Sequence, residues 1–326
     1  MSGGATKVQE LASIIAAGKE HIRELLRRGV DIDTMGRKFT VNFSYCYDFF
    51  EDIAAARAAR RIWARMMKEE FGATDPRAMV LKHHAIVSGS DYARQRPLLN
   101  IARGTVRALS AVLAGCMGIQ LAAYDEALST PTEDGHRVSI GTQQVLRYET
   151  GVARVADPLA GSYYVEWLTS RLEEEIRAMV KEIEDRGGWL AVLMSDWYKN
   201  QVTKTAVERQ WKTDSGERLV VGVNCFTIPP EEDFHPKAYT PDKADVEQYI
   251  AGFKEFKRKR DNSKVKKALE TLRRAAEKPD ENLLPYTEEA ILADATFPEI
   301  VGVLRMVDGL PYDYAGVGQY PFSQEV

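Results

Sequence analysis

An α/β fold, with a few parallel strands in its first half and helices dominating its second, follows from three features of this 326-residue sequence. Strand-like runs alternate with long helical patterns over residues 1–150, an order that calls for parallel pairing through right-handed crossovers. Two of those runs alternate polar and apolar residues with period two. Beyond Gly151 the patterns are helical, with one short β-branched exception.

Taken in order, Val8 to Arg28 reads as an amphipathic helix ended by Gly29. The first strand is Lys38 to Tyr45, followed by an alanine- and arginine-rich helix from Tyr47 to Phe71. The second strand is Ala78 to Val87, closed by Ser88-Gly89, with a helix from Leu99 to Gly115 behind it. Gly118 to Tyr124 is the third strand. Trp167 to Arg186 is a charged amphipathic helix capped by Gly187-Gly188, and Lys204 to Lys212 is a further helix. It leads into Arg218 to Asn224, whose β-branched residues suggest a strand or extended segment. Ile228 to Pro241, rich in proline and acid, is a linker; Asp245 to Lys278 and Thr287 to Asp308 are helical, and Gly309 to Val326 is a Gly-, Pro- and Tyr-rich tail. The chain thus divides into a strand–helix region (1–150), a helical segment with a short strand (151–228), and a linker with a helical extension (229–326).

The strands carry a physical clue. In KFTVNFSY, Lys38, Thr40, Asn42 and Ser44 share one face and Phe39, Val41, Phe43 and Tyr45 the other. In the second strand Lys82, His84, Ile86 and Ser88 oppose Leu81, His83, Ala85 and Val87. A closed barrel usually fills its interior with Val, Ile and Leu. Enclosing unpartnered polar groups costs about 1–3 kcal/mol each, so a barrel built from these strands needs a wet interior or a polar ligand. The other reading is a half-exposed sheet whose polar face meets water.

Composition narrows the classes. With 44% hydrophobic and 28% charged residues the chain is ordinary for a globular protein, and a net charge of −4 gives no footprint for nucleic acid. The basic run Lys254 to Lys267 reads as a solvated helix face. Cys46, Cys116 and Cys225 are far apart, without C-x-x-C or a disulfide framework, which fits a reducing cytoplasm. No zinc site, Walker motif or G-x-G-x-x-G is present, and no segment reads as a signal peptide or membrane span. The expectation is a cytoplasmic protein with no membrane and no nucleic-acid partner.

The stretch from Tyr148 to Glu166, YETGVARVADPLAGSYYVE, is asked for by no helix or strand pattern and reads as a loop. It resembles the VADP-x-x-GSY segment of the large subunit of coenzyme-B12-dependent acyl-CoA mutases, the methylmalonyl-CoA mutase family. The resemblance runs from about Glu10 to about Asn224 and includes RPLLNIAR (Arg96 to Arg103), YDEAL (Tyr124 to Leu128), TQQVLRYETG (Thr142 to Gly151) and DSGERLVVGVN (Asp214 to Asn224). It implies a partial (β/α)8 TIM barrel, the last three β/α units, whose axis takes the pantetheine arm of an acyl-CoA. The family's early strands, with the substrate-carboxylate arginine and a radical-dislodging tyrosine, have no counterpart here. The resemblance therefore implies that another polypeptide, a partner carrying the N-terminal barrel half, or an upstream segment supplies those strands. Two raw sheet edges are expected where that half would pair.

The same resemblance suggests roles. His84, on the polar strand face, is the expected catalytic residue, facing the cavity and donating to substrate or cofactor. Glu126, with Ala127 beside it, is the expected contact to the adenosyl ribose; read alone, Asp125-Glu126 could simply open a helix, where acids suit the macrodipole. Ile86 and Ser90 stand where the family has glutamine and tryptophan toward the corrin, and Asn42 where it has phenylalanine. Lys38 and Thr40 replace arginine and serine that contact the acyl-CoA; lysine keeps the charge without the bidentate fork. Lys82 is expected to reach substrate from the polar face. Asn100 and Arg103, in the N-I-x-R pattern, are expected at the substrate, although by themselves they could be a helix cap and a surface charge. Asp134-Gly135-His136 mimics the start of D-x-H-x-x-G, whose histidine ligates cobalt, but Ser139 stands where glycine should, so His136 is read as a loop residue. No metal ligand is expected here: the cofactor, adenosylcobalamin, would take its cobalt ligand from a separate cobalamin-binding subunit or domain. The implied activity is radical carbon-skeleton rearrangement of a short acyl-CoA by one subunit of a complex. The alternative is a catalytically inactive assembly subunit, suggested by Asn42, Ile86 and Ser90.

Overall fold

The computed structural model describes residues 3–322 apart from Tyr47 and Ala238. It separates into two units, Met1–Tyr239 and Thr240–Val326, each with its own apolar core.

The first unit opens with α1 (Lys7–Arg27), where Thr6 and Gln9 form a reciprocal capping box, and the short α2 (Ile32–Gly36). Then come β1 (Thr40–Ser44), α3 (Phe49–Arg65), β2 (Lys82–Val87), α4 (Leu99–Leu113), β3 (Gly118–Leu121) and α5 (Glu133–Tyr148). The strands form one parallel sheet in the order β1-β2-β3. All three strand–helix alternations are thus present, with strands shorter than expected. The expected start of the helix after β1, Tyr47, lies outside the described residues; α3 continues as a π-helical turn, Met66–Glu70.

Period two in the sequence becomes two unlike faces. Phe43, Tyr45, Leu81, His83, Ala85 and Val87 are buried against the helices, while Thr40, Asn42, His84 and Gln120 are exposed. Within this chain the polar face is therefore open.

Helix α6 (Tyr163–Asp185) shares the core of the strand–helix region: Val165, Leu172, Ile176 and Ile183 join the cluster containing Ala55, Ala58, Ala59 and Ile62 of α3. A short helix, α7 (Trp189–Met194), and a long one, α8 (Asp196–Asp214), follow. Arg218 to Asn224 is not a strand. Its one ladder contact is an isolated Val221–Cys225 bridge, because Asn224 folds the segment into a turn, accepting from Val220 N and donating to the Thr213 and Arg218 carbonyls.

In the second unit each expected helical stretch is broken in two: α9 (Lys243–Lys259) and α10 (Asn262–Ala276), then α11 (Leu284–Leu292) and α12 (Phe297–Val307). The last residues of the expected tail, 323–326, lie outside the described residues.

The sheet edges are not bare throughout. Ser44 N donates to Glu10 at 2.9 Å and the Ser44 carbonyl accepts from the Lys7 ammonium, so α1 covers the C-terminal end of the β1 edge. At the other edge the Ser139 hydroxyl of α5 donates to the Leu121 carbonyl at 2.7 Å. Buried Lys7 also pairs with Asp52 at 2.8 Å and Glu10 at 3.3 Å; burial pulls its pKa down, but the two carboxylates outweigh burial and leave it raised.

Candidate functional site

The register lines up the candidate residues. Thr40 lies beside Lys82, Asn42 beside His84 and His84 beside Gly118, and Ser44 beside Ile86 and Ile86 beside Gln120. All project to the open face, since strand neighbours in register share a side. From Thr40 to Ser44 the row climbs about 13 Å at roughly 3.3 Å per residue. Ser90 and Glu126 sit in the turns beyond the strand ends, where ligand sites of parallel α/β sheets gather.

Two close approaches shape this face. A Cβ on Gly118 would fall 2.8 Å from His84 Nδ1, so the imidazole lies directly over that glycine. Likewise a Cβ on Gly89 would meet the Glu126 side chain at 3.0–3.1 Å. Glu126 itself is exposed, and Glu126 N donates to Ala123 O in a turn rather than in a helix. Beside it a hollow of about 500 Å³ is lined by Gln120, Glu126, Ala122, Ser139 and His136. His136 is not in a loop: Thr132 caps α5, and His136 stands in its first turn.

The remaining candidates have these environments. Lys38 and Thr40 are exposed at the N-terminal end of the sheet, and the Lys82 ammonium donates to the Arg37 carbonyl. Ser90 is exposed, with its amide accepted by Ser88 Oγ; Ala127 is half-buried in the turn after β3. Asn100 departs from a substrate-contacting position. It is completely buried and spends all four hydrogen-bonding valences internally, on Ala93 N, the Ala93 and Tyr124 carbonyls, and Arg103 Nη1. It therefore pins the turn after β2 to the turn after β3, which positions Ser90 and Glu126. Nor is it a helix cap, since Leu98 holds that place. Half-buried Arg103 bridges Asn100 at 2.7 Å and the Val221 carbonyl at 2.6 Å.

Sequence reasoning passed over the role of Gly118 and Gly89, which only the neighbours' positions reveal. Nor did it single out Gln120, whose place opposite Ile86 the alternation of β3 could have shown. The VADP stretch acts as a brace. Asp157 adopts a left-handed φ of 47° and pairs with Arg57 at 3.1 Å, and Arg57 also reaches Glu166 at 2.6 Å and Thr169 at 3.0 Å. Tyr163 and Tyr164 begin α6 instead of lying in a loop.

A sequence profile described as methylmalonyl-CoA mutase matches residues 1–310. The chain belongs to that family. It is 35% identical over 94% of its length to a 2-hydroxyisobutanoyl-CoA mutase large subunit from Aquincola tertiaricarbonis, covering 54% of that protein. It is 36% identical to the methylmalonyl-CoA mutase of Rhizobium meliloti, with 96% of this chain and 43% of that protein covered. For the Escherichia coli methylmalonyl-CoA mutase the figures are 33%, 93% and 42%. The chain thus spans about half the length of the curated relatives it matches. Among the described residues no group of three or more His, Cys, Asp or Glu side chains could hold a metal ion, and no helix is long and apolar enough to cross a membrane.

Proposed function

We propose that this chain is one part of an adenosylcobalamin-dependent acyl-CoA mutase, an isomerase that rearranges the carbon skeleton of a short acyl-CoA. The observation that carries this reading is the open row of polar side chains, Thr40, Asn42, His84 and Gln120, on a parallel sheet of this family. A second polypeptide segment bearing the first barrel half closes over that row. It turns an exposed face into a tunnel for the thioester arm.

Glu126 fits the nucleoside end of the cofactor: its carboxylate is exposed, lies at the C-terminal end of the sheet and can accept from two vicinal hydroxyls. Ala127, Ile86 and Ser90 line the same end. The cobalt ligand comes from a separate cobalamin-binding subunit or domain, since Ser139 breaks the ligand signature that His136 would need. When bound, the cofactor supplies the radical chemistry. This chain's residues bind and orient: His84 donates an N–H to the substrate or cofactor, Lys82, Thr40 and Asn42 contact the thioester arm, and Lys38 offers positive charge at the entrance. Arg103 and Asn100 hold the turns that carry Ser90 and Glu126. Closing the tunnel excludes water, which strengthens each of these contacts.

Reconstitution tests the reading. The chain is combined with a first-half polypeptide and a cobalamin-binding subunit, and turnover of methylmalonyl-CoA and 2-hydroxyisobutanoyl-CoA is measured. Turnover is expected only from the complex, with His84→Ala lowering it about 100-fold or more, the scale of a lost proton-bearing group. A second reading, a non-catalytic assembly subunit, is favoured by Asn42, Ile86 and Ser90. Full turnover in a His84→Ala, Glu126→Ala double variant would establish it.

A further inference from the structure

The geometry points to Gly118 and Gly89 as positioning residues, each the floor on which one of the two key side chains of the open face is laid. The inference rests on the mutase reading for its catalytic meaning, but its physical content stands on the packing alone.

His84 is exposed and sits on the central strand, so nothing on its own strand fixes its ring. Its in-register neighbour on β3 is Gly118. Any side chain there would begin 2.8 Å from Nδ1, closer than non-bonded atoms tolerate, and in tight contact with Cε1 at 3.2 Å. Gly118 is not demanded by the backbone, since its φ lies outside the left-handed range. What it provides is room: the Nδ1–Cε1 edge of the imidazole lies against β3 at Gly118. Because the ring is at the surface, an added methyl would be met by rotation of the ring rather than by strain in the core. The consequence falls on where the imidazole points and little on stability.

Gly89 repeats the arrangement one level higher. Its Cβ would start 3.0 Å from Cδ and 3.1 Å from Cβ and Cγ of Glu126, so the whole length of that side chain rests on the turn after β2. Here too φ is not left-handed. Each glycine thus lies on the element next to the residue it serves, and the face acts as a template only if both remain glycine. A side chain at either position would push imidazole or carboxylate toward the ligand volume.

The test uses the full chain carrying Gly118→Ala or Gly89→Ala, each also combined with His84→Ala or Glu126→Ala respectively. Imidazole resonances of His84 are compared by NMR at one fixed pH, with the other histidines as internal references. Gly118→Ala is expected to shift the His84 ring signals while those of the other four histidines stay in place. Unchanged His84 signals would overturn the inference, as would unfolding by both glycine variants, because that would give the glycines a general structural role. In the reconstituted complex each glycine variant should lower kcat/KM at least 10-fold. It should have no further effect once His84 or Glu126 is already alanine, whereas a purely structural residue would subtract the same amount in both backgrounds. If the wild-type complex shows no mutase turnover, the functional reading fails, and the NMR comparison still decides the positioning role.

Discussion

His83 and His84 are adjacent in sequence and opposite in environment, because one step along a strand turns a side chain to the other face. His84 meets solvent; His83 is 1% exposed, stacked on Phe43 at a ring separation of 4.7 Å and hydrogen-bonded through Nε2 to the Tyr45 hydroxyl at 2.9 Å. Burial, helped by the nearby Arg60 cation, holds the His83 pKa down to about 4. In the unfolded chain it titrates near 6.5. The unfolded state therefore takes up a proton first as pH falls. The stability that neutral His83 contributes is fully present above about pH 6.5 and drains away between there and pH 4, by up to about 3 kcal/mol in all. Urea midpoints of the wild type and His83→Gln, compared at pH 7.5 and 4.5, should show a steeper acid loss in the wild type; equal losses would remove His83 as the cause. Asn100 and His84 give a second contrast. Asn100→Ala strands the Ala93 amide and the Ala93 and Tyr124 carbonyls in a buried place, and should cost about 3 kcal/mol or more in a denaturant titration. His84→Ala, on the open face, should stay within about 0.5 kcal/mol of the wild type. A binding residue and a structural pin are separated by this measurement.

At the scale of elements, local chemistry was legible where local chemistry decides. The alternation in KFTVNFSY and the apolar periodicity of α1 and α4 place those elements within a few residues. What the sequence hides is where a distant partner sets a boundary. α8 begins earlier than its periodic core suggests, and there the cause is local, since Ser195 stands at its N-terminus and accepts from Trp197 N. Asn224 bends a β-branched run into a turn through bonds back to Thr213, Arg218 and Val220, which propensity cannot announce. The break between α9 and α10 has a tertiary cause: Arg260 turns inward to make a bidentate pair with Glu299 of α12 at 2.6 and 2.7 Å, and Asp261 starts the next helix by accepting from Ser263 N and Lys264 N. Both side chains of the pair are 2% exposed. Burial pushes the Glu299 carboxyl up, but Arg260, Thr296 and Lys257 together bring it down to about 2. Its contribution is thus present above the unfolded value near 4.5 and is lost as pH falls toward 2. Arg260→Met should destabilise the second unit by about 3–5 kcal/mol, since it leaves a buried carboxylate short of its main partner. Limited proteolysis would then cut first within 240–326. A digestion pattern identical to the wild type would show that Lys257, 3.0 Å from Glu299, suffices alone.

For the molecule as a whole, the decisive quantity is how much of the sheet is still available for pairing. In a parallel ladder alternate residues direct their N–H and C=O groups to opposite neighbours. Tyr45 N donates to Ile86 O of β2, so Ser44, Asn42 and Thr40 direct theirs to the outer edge. Ser44 is already taken by Glu10 and Lys7, and on the far edge Leu121 O is taken by Ser139. The C-terminal rim is therefore closed by this chain's own helices, and the N-terminal half of each edge, through Thr40 and Asn42 on β1, is where a further strand can add. Such edges are a liability in isolation and a template in an assembly. If a first-half polypeptide completes the sheet, hydrogen–deuterium exchange will show the Asn42 amide exchanging rapidly in the lone chain and slowing at least 100-fold in the complex, while Ser44 is slow in both. Glu10→Ala should speed Ser44 exchange in the lone chain without removing the protection that the complex gives Asn42. An Asn42 amide that stays fast in a complex active as a mutase would mean that the second polypeptide closes the polar face without adding a strand to β1, and the barrel reading of this sheet would have to be given up.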